Sequence, residues 1–418
     1  MSKWILFFSC VMLITPLIAQ EKTVWNLDAQ LQLRSELDGR DFSDKTYPLT
    51  FATMRTRIGL KGKVSDKVNF YAQAQDSRVF GEEPTVSSNT KNLDLHQGYI
   101  KLVEPFQFPF TLQAGRFEMV YGTERFFGSN DWSYIGRSFD GVKFSFGNET
   151  RFDIFALSTY EGTANVTTAS VSSYSYPEHN DTSSSIYGFW LKSKFDSDNL
   201  FDLFTFYDIN RKQTNGKSDD NKTTTIGFNH KGEYGSFSTL TEGAYEAGSR
   251  SGVYLSAYLI SLQGFVEFDA FKAGLGADVL SGTNPKKKDR ITSFYNSYGT
   301  LHQFYGYMDY FFKSPSSNYN LGLNDYYFTF NFRPKNNNFS FGINYHQFKS
   351  NATSLGGSSD LGGEFDITAS YELIKRTAIT WGGSVFMPGT LMKQYFWTSK
   401  DPRYDTSFWS YIMITANL

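Results

Sequence analysis

Beyond residue 19 the chain contains no apolar run of about 18 residues, yet many short segments alternate strictly between apolar and polar side chains. A period of two marks a β-strand with two unlike faces, because successive side chains point to opposite sides of the sheet. In segment 339–346, Phe339, Phe341, Ile343 and Tyr345 share one face, and Ser340, Gly342, Asn344 and His346 the other. Segment 54–61 sets Met54, Thr56, Ile58 and Leu60 against Arg55, Arg57, Gly59 and Lys61, and segment 69–75 sets Phe70, Ala72 and Ala74 against Asn69, Tyr71, Gln73 and Gln75. In 186–195, Tyr187, Phe189, Leu191 and Phe195 oppose Gly188, Lys192 and Lys194. Without an apolar helix long enough to span a bilayer, a chain of this kind crosses one only as a closed β-barrel, with apolar residues toward lipid and polar residues toward a lumen. A secreted β-sandwich is the other architecture with this alternation.

Composition favours the barrel. Aromatic residues make up 18% of the chain while the mean hydropathy is −0.40, and there are 35 glycines. The last segment places Phe408, Ile412, Ile414, Ala416 and Leu418 on one face. A terminal amphipathic strand with an apolar final residue resembles the assembly signal of bacterial outer-membrane proteins, which makes the barrel-assembly machinery an expected partner. At the other end, Lys3 precedes an apolar run over residues 4–18, and Ala19 leads into Gln20-Glu21-Lys22. That pattern predicts a secretory signal peptide over residues 1–19. The single cysteine, Cys10, lies within it. The remaining 399 residues carry 39 Lys and Arg against 42 Asp and Glu, a balance without the basic excess of a nucleic-acid binder.

Two grades of connection separate the alternating segments. Tight-turn residues stand at 65–67, 148–149 and 334–338, and long polar stretches at 81–92, 163–184, 215–222, 284–290, 314–320 and 350–363. Short periplasmic turns and long outer loops belong to transmembrane barrels. Residues 20–418 show no linker, so a single domain is expected: an all-β, antiparallel up-and-down barrel of 18 strands, with 16 as the alternative.

The richest stretch is 112–146, LQAGRFEMVYGTERFFGSNDWSYIGRSFDGVKFSF. It resembles the alginate-export family of outer-membrane barrels, which carry a string of the form GR…YG-[DT]-ER…GS-x-DW…GRSFDG. The stretches RTRIGLKG at 55–62, QAQDSRVFG at 73–81, HQFYGYMDYFF at 302–312 and LGGEFDITASYEL at 361–373 are similar to further landmarks of that family. The resemblance implies an 18-stranded outer-membrane barrel and, by analogy with the best-known member, passage of an acidic polysaccharide through an arginine-lined pore.

The charges fit that expectation in kind. Arg55 and Arg57 alternate with apolar neighbours, so both are expected in the lumen. Arg116, Arg125, Arg137 and Asp140 are pore-lining candidates by the resemblance; Glu124 and Asp131 stand near them. A charged side chain facing lipid at mid-membrane costs roughly 2–4 kcal/mol, and guanidinium groups bind carboxylates bidentately. Arg116 shares a face with Leu112 and Ala114, and Asp140 with Val142, Phe144 and Phe146. Either a bulge shifts the register there, or both residues lie outside the strand proper. Arg78 ends its segment beside Val79-Phe80-Gly81 and is a weaker candidate. Asp309, among Tyr305, Tyr307 and Tyr310, is a lumen acid or part of an aromatic girdle. The run Lys286-Lys287-Lys288 reads as a solvated loop.

Barrel enzymes, lipases and proteases, need a histidine paired with a nucleophile or an acid. The five histidines, His96, His179, His230, His302 and His346, stand near no G-x-S-x-G or H-E-x-x-H string. The expected function is passive, anion-preferring passage of an acidic polysaccharide or small anionic solute across the outer membrane of a Gram-negative cell. A general or differently selective porin is the alternative, and a barrel enzyme a distant one. No cofactor or metal is expected. The expected surroundings are lipid and lipopolysaccharide, and the expected state is a monomer.

Overall fold

A computed structural model describes residues 23–418 apart from 84, 86, 88–91, 161–182, 212, 215–216, 219–220, 288, 296–297, 312–319 and 397–402. The predicted signal peptide, His179, Lys288 and most of the 163–184 loop lie outside the described residues.

Eighteen long antiparallel strands close into a barrel. They are β1 (Val24–Gly39), β2 (Leu49–Lys63), β3 (Val68–Val79), β4 (Leu93–Val103), β5 (Phe110–Phe117), β6 (Phe139–Phe146), β7 (Arg151–Tyr160), β8 (Ser184–Lys194) and β9 (Asn199–Asn210). There follow β10 (Asn221–Tyr234), β11 (Phe237–Arg250), β12 (Val253–Phe268), β13 (Phe271–Leu280), β14 (Leu323–Phe332), β15 (Phe339–Lys349), β16 (Asp360–Ile374), β17 (Thr377–Pro388) and β18 (Ser407–Asn417). Each strand pairs with its neighbours in sequence, and β18 returns to β1 with Gln30 opposite Asn417 and Gly39 opposite Phe408. Closure satisfies the edge that lipid would leave without partners.

The expected alternation holds. Ile58 and Leu60 face outward while Arg55, Arg57 and Gly59 are buried inside, and Tyr187 and Phe189 face outward while Gly188 and Trp190 face inward. Phe408, Ile412 and Ile414 are exposed on the outside of β18, with Trp409 and Tyr411 buried behind them. One end of the barrel carries short connections, such as 64–67, 147–150 and 235–236; we call it the turn side. The other end, the loop side, carries the long ones.

Along each strand the inward side chains change character with depth. From the loop side, β14 presents Leu323, Asp325, Tyr327, Thr329 and Asn331 to the interior. The neighbouring β15 presents Phe348, His346 and Asn344, and β17 presents Phe386, Ser384 and Thr380. The lumen thus passes from an apolar layer through a charged layer to one of amides and hydroxyls. The apolar layer exists because chain folds into it. Residues 118–138, between β5 and β6, and the described residues of 281–322, between β13 and β14, enter the barrel; we call them inserts A and B. Met119, Tyr121, Phe126 and Phe127 of insert A, with Phe294, Tyr305, Met308 and Phe311 of insert B, join wall residues such as Phe155, Trp190 and Phe204 in one buried cluster. Tyr121 stacks on Trp190 with ring centres 4.5 Å apart, and Phe127 on Tyr298 at 5.9 Å.

The alternation did not anticipate the inserts. Of insert B only its polar pieces, 284–290 and 314–320, read as loop. Insert A stood outside the long polar connections expected from composition, because it is rich in aromatics, which pack inside the barrel.

Candidate functional site: the plugged lumen

Two walls of unlike charge face the inserts. On β1 and β2, Arg34, Arg55 and Arg57 project inward and all three are buried. Arg34 donates from Nη1 to the Trp132 carbonyl at 2.6 Å, and Arg55 from Nη1 to the Ser133 and Asp131 carbonyls at 2.7 and 3.1 Å. Arg57 donates from Nη1 to the Asp131 carboxylate at 3.0 Å and from Nε to Gln75 at 2.6 Å. Glu118 lies 3.4 Å from Arg57 and 2.7 Å from His96 Nε2. Gly136 makes this close docking geometrically feasible: its φ is +75°, and a Cβ there would meet the Arg57 guanidinium. Insert A therefore lies against the basic wall through carbonyls and acids.

The opposite wall, β11 to β16, is acidic, with Glu242, Glu246, Asp278, Asp325, Glu364 and Asp366 all buried. Arg125 of insert A reaches into it, donating to Glu242 from Nε at 2.7 Å, and from Nη1 to Asp278 at 3.0 Å and to the Tyr305 hydroxyl at 2.6 Å. The Phe304 ring covers its guanidinium at 3.9 Å. Burial works against the Arg125 charge, but Asp278, Tyr305 and Glu242 outweigh it and hold the guanidinium well above its ordinary pKa. Insert B meets the same wall with donors. The Met308 amide donates to Glu364 at 2.8 Å, the Tyr295 amide to Glu246 at 3.2 Å, and the Tyr298 hydroxyl to Asp208 on β9 at 2.6 Å. Gly306, with φ +81°, lies so close to the Glu364 carboxylate that a Cβ would come within 2.5 Å of it.

The two inserts meet at Trp132, whose ring is sandwiched between His302, 3.8 Å away and nearly parallel, and the Arg34 guanidinium at 4.0 Å. Asp309 accepts from His302 Nδ1 at 2.9 Å, and Arg40 lies 3.9 Å from its other oxygen. Beside this junction a cavity of about 430 Å³ is lined by Arg34, Arg40, Arg137, Trp132, Trp409 and Asp309, among others. Arg34 is paired with Glu36 at 2.8 Å and Arg40 with Asp38 at 2.6 Å. Arg137 donates to the Gly299 carbonyl at 2.8 Å and has no carboxylate partner among the described residues. Its burial pulls the guanidinium below the ordinary value.

The candidate residues thus fall into four groups. Arg55 and Arg57 point into the lumen, as spacing implies, but their guanidinium groups are occupied by insert A. Arg125 is wholly enclosed, while Arg137 and Asp309 line the cavity. Arg116, Asp140 and Arg78 stand elsewhere. Arg116 pairs in register with Asp140 and with Gly98, on the same side as outward Ala114 and Val142, and its Nη1 lies 2.7 Å from Asp140. No bulge interrupts that pairing; the two residues occupy the loop-side ends of β5 and β6 on the outer surface. Arg78 pairs with outward Met54, also at a loop-side strand end, and is held by Asp76 and Glu83. The register places these three at the loop-side rim, Arg116 and Asp140 beside a cavity of about 500 Å³ that Arg137 and Tyr298 also line, where a guanidinium reaches interfacial water and an acid partner at little cost. Arg34, Arg40 and the acidic wall escaped the sequence reading. Arg34 and Glu36 stand at i and i+2 in an alternating segment, and that spacing was the available signal.

A closed barrel with an apolar outer belt, polar lumen and long loops on one side is an outer-membrane channel. The alginate-export family model matches residues 25–400, and the chain belongs to that family. No curated protein sequence matches it. Among solved structures it is similar to the Pseudomonas aeruginosa outer-membrane proteins OpdO, with 13% identity, TM-score 0.60 and coverage of 94% of this chain and 97% of that one, and OccK8 (OprE), with 12%, 0.60, 94% and 98%. OpdK from the same organism, solved with vanillate, is similar at 11% identity, TM-score 0.57, 94% and 98%.

Proposed function

We propose that this channel conducts anions in preference to cations, by diffusion, and that its cargo is an acidic saccharide or another anionic solute. The observation that carries this reading is Arg137: a half-buried guanidinium without a carboxylate partner among the described residues, facing a cavity between the inserts and the basic wall. An uncompensated cation in a low-dielectric site attracts anions and repels cations. The Trp132 and Trp409 side chains line the same cavity and give it apolar surface beside the charge. The arginines paired with carboxylates, such as Arg34 with Glu36 and Arg40 with Asp38, contribute little net field. We further propose that the barrel functions as a monomer, that the barrel-assembly machinery inserts it, and that lipopolysaccharide surrounds its loop-side rim, where outward Arg78 and Arg116 stand. Lys286 and Lys287 belong to the same loop side.

The test is planar-bilayer conductance under a salt gradient, with wild type and Arg137→Gln. Anion selectivity that falls severalfold in the variant agrees with the proposal; unchanged selectivity removes Arg137 from it. Block by oligouronate identifies an acidic saccharide as cargo, and absence of block favours a general porin.

A further inference from the structure

A second cavity, of about 220 Å³, lies on the turn side of insert B and differs chemically from the first. Its floor and sides come from β12 to β15, with Gln263, Asp278, Tyr327, Thr329, Asn331 and Asn344, and Tyr305–Tyr307 of insert B form its roof. No lysine or arginine lines it. Two of its lining residues carry buried atoms without a hydrogen-bond partner, Asp278 Oδ1 and Thr329 Oγ1. Asp278 uses its other oxygen for Arg125, and its side chain is about 1% exposed. A buried polar atom without a partner is costly unless a ligand supplies the missing bond.

We propose that this cavity binds a neutral, hydroxyl-rich ring of the pyranose class. Each ring hydroxyl both donates and accepts. Asn331, Asn344 and Gln263 offer amide donors and acceptors, Thr329 a hydroxyl, and Asp278 Oδ1 a pure acceptor. The Tyr307 and Tyr327 rings supply apolar surface for the C–H face of a sugar. Asp278 also sets the charge preference, since a carboxylate on the ring would meet a like charge, and His346, which also lines the cavity, is already bonded to Asp325 at 2.9 Å. The volume accommodates one ring rather than a chain, below the 300–1,000 Å³ or so typical of drug-sized ligands. This inference goes beyond the anion preference and is independent of it, because it concerns the opposite side of the inserts.

Isothermal titration of the folded full barrel in detergent with glucose tests it. Glucose binds saturably to wild type and to Arg137→Gln, and Asn344→Leu and Thr329→Val each weaken it by about tenfold. Binding that is absent from wild type, equal in all four proteins, or weakened only by Arg137→Gln overturns the proposal. Heat-modifiable gel mobility shows which variants form the barrel. Thr329→Val, close in shape to the original, decides the matter if Asn344→Leu does not fold. Conductance without glucose binding sinks this site and leaves the channel reading standing; glucose binding without conductance does the reverse.

Discussion

The basic wall of β1 and β2 and the acidic wall of β11 to β16 hold the same inserts by opposite means. On the basic side three arginines grip main-chain carbonyls and two carboxylates, Asp131 and Glu118. On the acidic side the wall carboxylates are gripped by Arg125 and by amide and hydroxyl donors. The first arrangement shares its positive charges with many weak acceptors near water, and Asp131 remains about half exposed. The second confines charge in a dry interior, where Arg125 and Glu242 are fully enclosed. Interaction strength follows burial, so the acidic side should be the stronger and less forgiving anchor.

The largest effect is therefore expected from Arg125→Met. The change leaves Glu242 and Asp278 buried without their cation, a situation that costs about 3–5 kcal/mol. Insert A should detach from the acidic wall, with a lower thermal unfolding temperature, faster protease cleavage within residues 118–138 and higher single-channel conductance. A variant with wild-type conductance and protease resistance would show that the aromatic cluster alone holds the insert.

Arg57→Gln tests the other wall. It removes the bonds to Asp131 and Glu118 but keeps Arg55 and Arg34, so about 1.5–3 kcal/mol of insert docking should be lost, the value of hydrogen bonds to charged groups. Gly136→Ala attacks the same contact from the insert side, through its positive φ and the approach of Arg57, at a cost of about 1–3 kcal/mol. Protease cleavage within residues 118–138 measures both; rates equal to or above that of Arg125→Met would invert the ranking of the two walls.

How far the sequence revealed this architecture depends on the depth of each residue. Period-two alternation exposes the outer face directly, since lipid requires apolar side chains there, and the 18 strands followed from it with the family resemblance. The inner face obeys no comparable rule. Phe126 and Phe127 are as apolar as any lipid-facing residue, and their inward packing depends on partners such as Phe206 and Tyr298 that are far away in sequence. Arg125 is a pore-lining candidate by the family resemblance; its distant partners, Glu242 and Asp278, bind it to the acidic wall. Arg116 shows the converse. Its sequence face was lipid-facing by strict alternation, and the register upholds that reading over the one drawn from the resemblance.

The outer pair supplies the smallest expected effect and the control for the comparison of walls. Arg116 and Asp140 stand at the loop-side rim, where they line a cavity with Arg137 and Tyr298, and are partly exposed, at 34% and 56% of the side chain. Exposed ion pairs contribute 0–1 kcal/mol or so, and near the membrane interface a lone charge costs little. Arg116→Ala should leave ion selectivity and cleavage within residues 118–138 unchanged and shift the thermal unfolding temperature only slightly. The physical reason is that Asp140 neutralises Arg116, while the surrounding water and headgroups screen its charge. A selectivity change in Arg116→Ala as large as that in Arg137→Gln would mean that the field in the passage is set from outside the barrel, and the distinction between anchoring, lining and rim arginines would then fail.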